Sequence, residues 1–259
     1  MSATPRLFVE SDLSEGSEIT LDADPAHYLG QVLRLGPDDP VRLFNGRDGE
    51  FACRILEIGR NALRAVTERR VRVQQGVPDL WLVFAPLKKT RTDFVVEKAT
   101  ELGVREILPV LTQRCEARAV RTHRLQRIAV EAAEQTERLD IPLVRDAADL
   151  GAVLASWPSN RPLYFCDEAG DEGEKPWGGA AGRAFPMAEI VKREGNAAGA
   201  ILVGPEGGFS GQERAWLRGL PFVRPVGVGP RILRAETAAL GALVVWQAVQ
   251  GDWNPGGLA

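Results

Sequence analysis

Histidine and cysteine are scarce in this sequence. It has two histidines, His27 and His123, and three cysteines, Cys53, Cys115 and Cys166. Two distant histidines exclude a multi-histidine metal site, and no metal is expected. The widely spaced cysteines form neither a disulfide framework nor a zinc spacing, which fits a reducing cytoplasm. No stretch reaches the roughly eighteen consecutive apolar residues that a membrane helix needs. The first ten residues lack a basic start followed by an apolar core, so no secretory signal is expected. The phosphate-cradling patterns are missing too. There is no GxxxxGK[ST], and no GxGxxG between a first strand and helix, which removes the usual triphosphate and dinucleotide ligands.

What is present has the composition of a soluble protein. The 259 residues are 44% hydrophobic and 26% charged, enough for one large domain or two modest ones. A net charge of −3 argues against an overall polyanion binder, but averages hide patches. Between Phe84 and Ile128 there are ten Lys/Arg against five acids, and between Arg34 and Arg72 nine Arg against six acids. On charge alone, the first patch is either a solvated helix face or a nucleic-acid contact.

Residues 1 to about 73 read as short β segments: Arg6–Val9, Val41–Phe44, Glu50–Ile55 and Ala62–Val66. Turn signals such as Asn45-Gly46 and Asp48-Gly49 separate them. One helix is expected over Pro25–Leu33, with Asp24 as its N-cap and Pro25 in its first position. Closely spaced strands with one helix suggest a small barrel. Gln74–Pro78 has linker composition, after which strands and helices alternate. Strands are expected at Leu80–Ala85, Glu106–Leu111, Pro142–Val144, Pro162–Cys166, Gly199–Val203 and Phe222–Val226. The helices between them include Thr92–Leu102, with Phe94, Val95, Ala99 and Leu102 as its apolar face and Gly103 as its cap. A second helix is expected over Arg121–Arg138. Residues 167–182, rich in Gly and acids, read as an exposed loop. The last helix, about Arg234–Gln250, is apolar on most sides, so it is buried or packs on another subunit. This alternation predicts a mostly parallel sheet covered on both faces.

Two glycine-punctuated stretches stand out, Ile201–Ser210 and Val226–Ala238. Each runs from an apolar strand through a glycine turn to a helix start, the place where open α/β sheets bind ligands. Their glycines let a ligand approach the backbone closely. Ser210 and Glu213 form a capping box. Glu206 is either a local backbone acceptor or a ligand contact. Arg234 either pairs with Glu236 at the helix start or faces an anionic or carbonyl-rich substrate.

The sequence resembles the bacterial RNA methyltransferases that modify N3 of a uridine in 16S ribosomal RNA, members of the SPOUT superfamily. The resemblance covers nearly the whole chain. It runs through His27-Tyr28-Leu29 with Val32-Leu33-Arg34, then Lys98–Val104 and Glu131–Gln135. Gly204-Pro205-Glu206-Gly207-Gly208 and Gly229–Arg234 with Glu236-Thr237-Ala238 complete it, and these last two stretches are highly specific together. Two departures occur: Thr136-Glu137 stands where the family often has a small residue or Cys and then Gly, and Ala235 where Thr is common.

The resemblance implies a PUA-like β-barrel over 1–73 that helps bind RNA. It implies a C-terminal α/β trefoil-knot methyltransferase domain over 74–259, and a homodimer with the apolar last helix at its seam. S-adenosylmethionine would sit in the knot, held mainly by backbone. One wall would be Leu202, Val203, Gly204, Pro205, Glu206 and Gly207, and the other Val228, Gly229, Ile232, Leu233, Thr237 and Ala238. Val228, Ile232 and Leu233 would sandwich the adenine. Arg234 becomes the candidate catalytic residue, stabilising negative charge on O2 and O4 of the uracil. No histidine in the motifs is placed to act as base. The expected RNA contacts are Arg34, Lys88, Lys89, Arg114, Arg118, Arg121 and Arg138. Arg114, Arg118 and Arg121 share a helix face only if the helix extends that far back; otherwise they lie on a loop. Two other functions stay open: a knotted methyltransferase acting on a tRNA base or a ribose 2′-hydroxyl, and a non-catalytic RNA-binding assembly factor.

Overall fold

The computed structural model describes residues 4–116, 119–167, 184–195 and 198–254. The chain divides into two compact units, Met1–Gly76 with Val130–Ile141, and Val77–Ala129 with Pro142–Ala259. The boundary expected from sequence fell at residue 73, with everything beyond it in the second domain. By contacts, the segment Val130–Ile141 goes with the first unit instead.

In the first unit, β1 (Arg6–Phe8), β2 (Glu18–Leu21), β3 (Pro40–Phe44), β4 (Glu50–Ile58) and β5 (Leu63–Arg72) form one sheet in the order β1-β3-β4-β5-β2. β1 runs parallel to β3, and the other pairs are antiparallel. Three register shifts between β4 and β5 bend the sheet over its core, which includes Leu21, Leu29, Val41, Leu43, Ile55 and Leu63. Gly49, at a φ of +92°, is required in the turn before β4, because a Cβ there would lie 2.2 Å from the Arg72 carbonyl.

β2 was not legible in the sequence, and the helix begins earlier than expected. α1 spans Ala23–His27, with Asp22 rather than Asp24 before it, and the Asp22 carbonyl accepts the Ala26 N–H at 3.1 Å. Pro25 still lies in the first turn, where a missing N–H leaves no bond unmade. Tyr28–Val32 then widens into a π-helical turn, closed by the Leu33 N–H donating to the Tyr28 carbonyl at 3.0 Å.

A second, smaller cluster of this unit gathers Phe44, Ala133 and Leu139. Beside it the Arg6 guanidinium lies 4.6 Å from the centre of the Phe44 ring. Arg6 also pairs with the fully buried Glu50 and donates to the carbonyls of Ala133, Glu134 and Arg138 at 3.0, 2.9 and 3.1 Å. One cation thus answers a buried carboxylate and the open carbonyls at a helix C-terminus.

The second unit is a fully parallel sheet. Its path joins β11 (Phe185–Pro186), β13 (Val223–Gly227), β10 (Leu163–Cys166), β12 (Ala198–Val203), β6 (Asp79–Phe84), β7 (Glu106–Leu111) and β8 (Leu143–Val144), while β9 (Ala148–Asp149) pairs with the far end of β7. The chain moves outward from β6 through β7 to β8, then crosses back to β10 on the other side of β6. That reversal makes the neighbourhood of β6, β12 and β10 the topological switch point.

Helices α2 (Lys89–Glu101), α3 (Thr122–Gln135), α4 (Leu150–Ala155), α5 (Met187–Glu194), α6 (Gly211–Arg218) and α7 (Ala235–Val249) connect these strands. Strand alternation in β12 assigns the faces. Ala200 and Leu202 join the core containing Leu150, Leu154 and Leu217 of α4 and α6. Gly199, pointing the other way, lets α7 close in: a Cβ there would lie 2.7 Å from Trp246 Nε1.

The apolar last helix therefore finds partners in its own unit, against α2, α5 and β12. Gln247 anchors it, donating from Nε2 to the Leu102 carbonyl at 2.6 Å. Gly103, at φ +75°, ends α2 as expected. Phe94 departs from expectation. α2 starts three residues early and buries Thr92, Val95, Val96, Ala99 and Thr100, which leaves Phe94 39% exposed. The loop expected over 167–182 lies outside the described residues except for Asp167. That residue is buried and bonded by Arg214 Nε at 2.8 Å and Arg218 Nε at 2.7 Å, which pins α6 to the end of β10.

Candidate functional site

The two glycine stretches leave the C-terminal ends of β12 and β13, beside the loop that leaves β6. The Ala85 N–H donates to the Val203 carbonyl at 3.0 Å, so the loops after β6 and β12 start as neighbours. The first turn closes when the Gly208 N–H donates to the Pro205 carbonyl at 2.9 Å, with Gly208 at φ +64°. The turn is braced from two sides. Arg114 Nη1 donates to the Gly207 carbonyl at 3.0 Å. Glu213, in its capping box with Ser210, also accepts the Gln113 N–H at 2.8 Å. Leu202, Val203 and Pro205 are buried, while Glu206 and Gly207 are exposed.

The second turn rests on α7. A Cβ on Gly241 would lie 3.0 Å from Val228 Cγ1, so the absence of a side chain at 241 seats Val228. Beyond it, Gly229 is exposed, Leu233 partly buried, and Ile232 67% exposed. Arg234 is the N-cap residue of α7, in extended backbone at φ −65° and ψ 152°, and its carbonyl accepts the Ala238 N–H at 2.8 Å. Thr237 is exposed and Ala238 buried.

Arg234 does not pair with Glu236. Among the described residues its guanidinium makes no ion pair, and it is exposed. Glu236 is met by Arg91 instead, with Arg91 Nε 3.6 Å from Glu236 Oε1 and Arg91 Nη1 3.3 Å from Glu206 Oε1. One residue in the first turn of α2 thus joins both glycine turns. Sequence reasoning counted Arg91 only as one charge in the basic patch. No local signal distinguishes it, because its partners are more than a hundred residues away.

The expected RNA contacts separate by unit. In the second unit Lys88, Lys89 and Arg121 are exposed. Lys89 and Arg121 line a cavity of about 340 Å³ with Pro86, Leu87 and Leu125. Arg121 precedes α3, so it lies on a loop, as does Arg114, which is also committed to Gly207. Arg118 lies outside the described residues. In the first unit Arg34 is exposed at φ +59°, an unusual conformation for a residue with a side chain. It follows a partly exposed apolar trio, Tyr28, Val32 and Leu33. Arg138 does not join this set. Its side chain is 7% exposed, with Nε 2.9 Å from Asp140 Oδ1, so it serves the packing of the first unit.

Comparison with known proteins sharpens this geometry. The family model of an RNA methyltransferase domain matches residues 75–247, and that of an RNA methyltransferase PUA domain matches residues 21–68. A ribosomal RNA small subunit methyltransferase E from Rickettsia conorii is 34% identical over 92% of this chain and 93% of its own length. The chain belongs to the ribosomal RNA small subunit methyltransferase E family. A family member from Neisseria gonorrhoeae, solved bound to S-adenosylmethionine, superposes with a TM-score of 0.84 at 28% identity, covering 97% of this chain and 100% of that one. A Legionella pneumophila structure in complex with bound S-adenosylmethionine gives a TM-score of 0.81 at 29% identity, over the same shares. The fold is therefore that of a SPOUT methyltransferase with an N-terminal PUA-like domain, as the resemblance implied.

Proposed function

We propose that this chain transfers a methyl group from S-adenosylmethionine to N3 of a uridine in 16S ribosomal RNA of the small ribosomal subunit, in the cytoplasm. The reading is carried by the meeting of two glycine turns at the switch point of a parallel sheet, in a chain of this family.

The residues present suit that cofactor. The N–H groups of Gly207 and Gly229 donate to no acceptor among the described residues, and a Cβ on Gly229 would meet nothing within 4 Å. Backbone donors with open space before them can hold a ligand's acceptors. Val228, Ile232 and Leu233 offer apolar surface for an adenine. Glu206 of the first turn and Glu236 beyond the second both approach Arg91, which ties the two walls of the pocket together. The C-terminal segment after β12 forms the trefoil knot around this pocket. The partly exposed Val244 and Phe94, on the paired helices α7 and α2, contribute to the seam of a homodimer.

When bound, the cofactor supplies a methyl group on positively charged sulfur. The remaining work falls to the chain. Uracil N3 is a poor nucleophile until its proton is lost or shared, and negative charge then spreads to O2 and O4. An exposed cation that pairs with no carboxylate among the described residues stabilises that charge, and Arg234 fits this role at the edge of the second turn. The target uridine must be single-stranded or flipped to reach it. Lys88, Lys89 and Arg121 of the second unit hold phosphates of the RNA, and Arg34 makes a separate RNA contact from the first unit.

The test is incubation with labelled S-adenosylmethionine and small-subunit RNA. Label entering 16S RNA supports the assignment. RNA binding without cofactor binding or transfer would instead make the chain an assembly factor.

A further inference from the structure

We propose that Arg91 is a positioning residue that sets the gap between the two glycine turns, and so the fit of the cofactor. The proposal rests on reading those turns as the S-adenosylmethionine pocket.

Arg91 is well placed to fix a distance. Thr92, next to it, exchanges two hydrogen bonds with Leu87, its hydroxyl donating to the Leu87 carbonyl and accepting the Leu87 N–H, both at 2.9 Å. The loop entering α2 is thereby rigid where Arg91 leaves it. The planar guanidinium offers donors on more than one edge, so a single side chain engages two carboxylates at once. Its Nη1 lies 3.3 Å from Glu206 in the first turn, and its Nε lies 3.6 Å from Glu236, two residues beyond Arg234.

Remove the cation and two like charges face each other across the pocket, which drives the turns apart. Glu236 would feel this most. Its side chain is 15% exposed, and its Oε2 is buried with no hydrogen-bond partner among the described residues. Glu206, at 35%, is better solvated. The Arg91–Glu206 pair is open enough to contribute little to global stability, so its effect belongs to pocket geometry rather than to folding. The local balance of two carboxylates to one guanidinium also argues against Arg91 as a phosphate contact.

The test is calorimetry of S-adenosylmethionine binding to the full chain and to Arg91→Ala, Arg91→Lys, Glu206→Gln and the double variant Arg91→Ala/Glu206→Gln, with RNA affinity measured in parallel. Arg91→Ala is expected to weaken cofactor binding by about tenfold or more. Arg91→Lys, able to reach one carboxylate but not to fork between two, is expected to restore part of it. The loss should be smaller when Glu206 is already Gln, since the repulsion is then reduced. In steady state, KM for the cofactor rises while kcat at saturation changes little. Cofactor affinity within about twofold of wild type in Arg91→Ala, equal losses in both backgrounds, or a loss confined to RNA binding would each overturn the proposal. A wild-type chain that does not bind the cofactor would overturn the pocket assignment itself.

Discussion

The ring of Phe209 fills the space that a side chain on Gly204 would need. A Cβ at residue 204 would lie 2.6 Å from Phe209 Cε2, and the ring is held edge-on against Phe165 with centroids 5.0 Å apart. The first glycine turn is therefore shaped by the core beneath it as well as by any ligand above. Gly204→Ala is expected to destabilise the protein by about 1–3 kcal/mol through overpacking, and to weaken cofactor binding by displacing the turn. Phe209→Leu in that background should return part of both losses. Thermal melts and calorimetry on the two variants decide this; an unchanged melting temperature in Gly204→Ala would show that the ring yields freely.

Arg234 presents the opposite case, an exposed side chain with no ion pair among the described residues. Arg234→Ala should change stability by no more than about 0.5 kcal/mol. Turnover should fall by about a hundredfold to a thousandfold, the usual loss when a charge-stabilising donor is removed. Full methylation at normal cofactor affinity would exclude Arg234 from stabilising the transition state.

Arg34 pairs strain with exposure. At φ +59° glycine would be more comfortable, so Arg34→Gly is expected to stabilise the first unit by up to about 1 kcal/mol. The same change should weaken RNA binding and lower the slope of log affinity against log salt by about 0.7 to 0.9. Salt titrations of RNA binding, read beside denaturation curves, separate the two effects. Unchanged RNA affinity would leave the strain without a functional reason.

How far the sequence carried the fold depends on the range of the forces involved. The capping box at Ser210 and Glu213, the Gly103 stop after α2, and the parallel alternation follow from local patterns and were readable. The short strands β2, β9 and β11 and helices α4 and α5 were not, being brief segments fixed by tertiary contacts. Phe94 is expected in the core on its hydrophobicity, but the buried stripe of α2 runs through Thr92, Val95, Val96, Ala99 and Thr100 at helical spacing, and Phe94 falls outside it. In the site, the two glycine turns were evident from their residues, and Arg234 was picked out beside them. Arg91 was not, since its partners Glu206 and Glu236 are brought to it only by the folded sheet. Arg138, expected at the RNA from the resemblance, sits instead among acidic neighbours, with its side chain buried against Asp140.

Glu134 gives the first unit a pH dependence. Burial pushes its carboxyl up to about 7, with the Phe8 N–H opposing, Glu131 adding to the rise and Arg6 countering it. A carboxyl whose pKa is higher folded than unfolded holds its proton more tightly in the native state. Its ionisation therefore takes stability away as pH rises from the ordinary glutamate range, about 4.5, through about 7, and no more above that. Glu134→Gln keeps an acceptor for the Phe8 N–H, which now donates to Oε1 at 2.9 Å. The variant should gain on wild type across that interval and hold a constant advantage above it. Urea denaturation at a series of pH values tests this, and parallel profiles for the two proteins would contradict it.

The most direct test of the assigned chemistry is the identity of the methylated nucleoside. Small-subunit RNA is incubated with the protein and S-adenosylmethionine, digested to nucleosides and resolved by mass spectrometry against standards. The expected product is 3-methyluridine from 16S ribosomal RNA, lost in Arg234→Ala. A 2′-O-methylated nucleoside, a methylated base other than uracil, or modification of tRNA alone would contradict it.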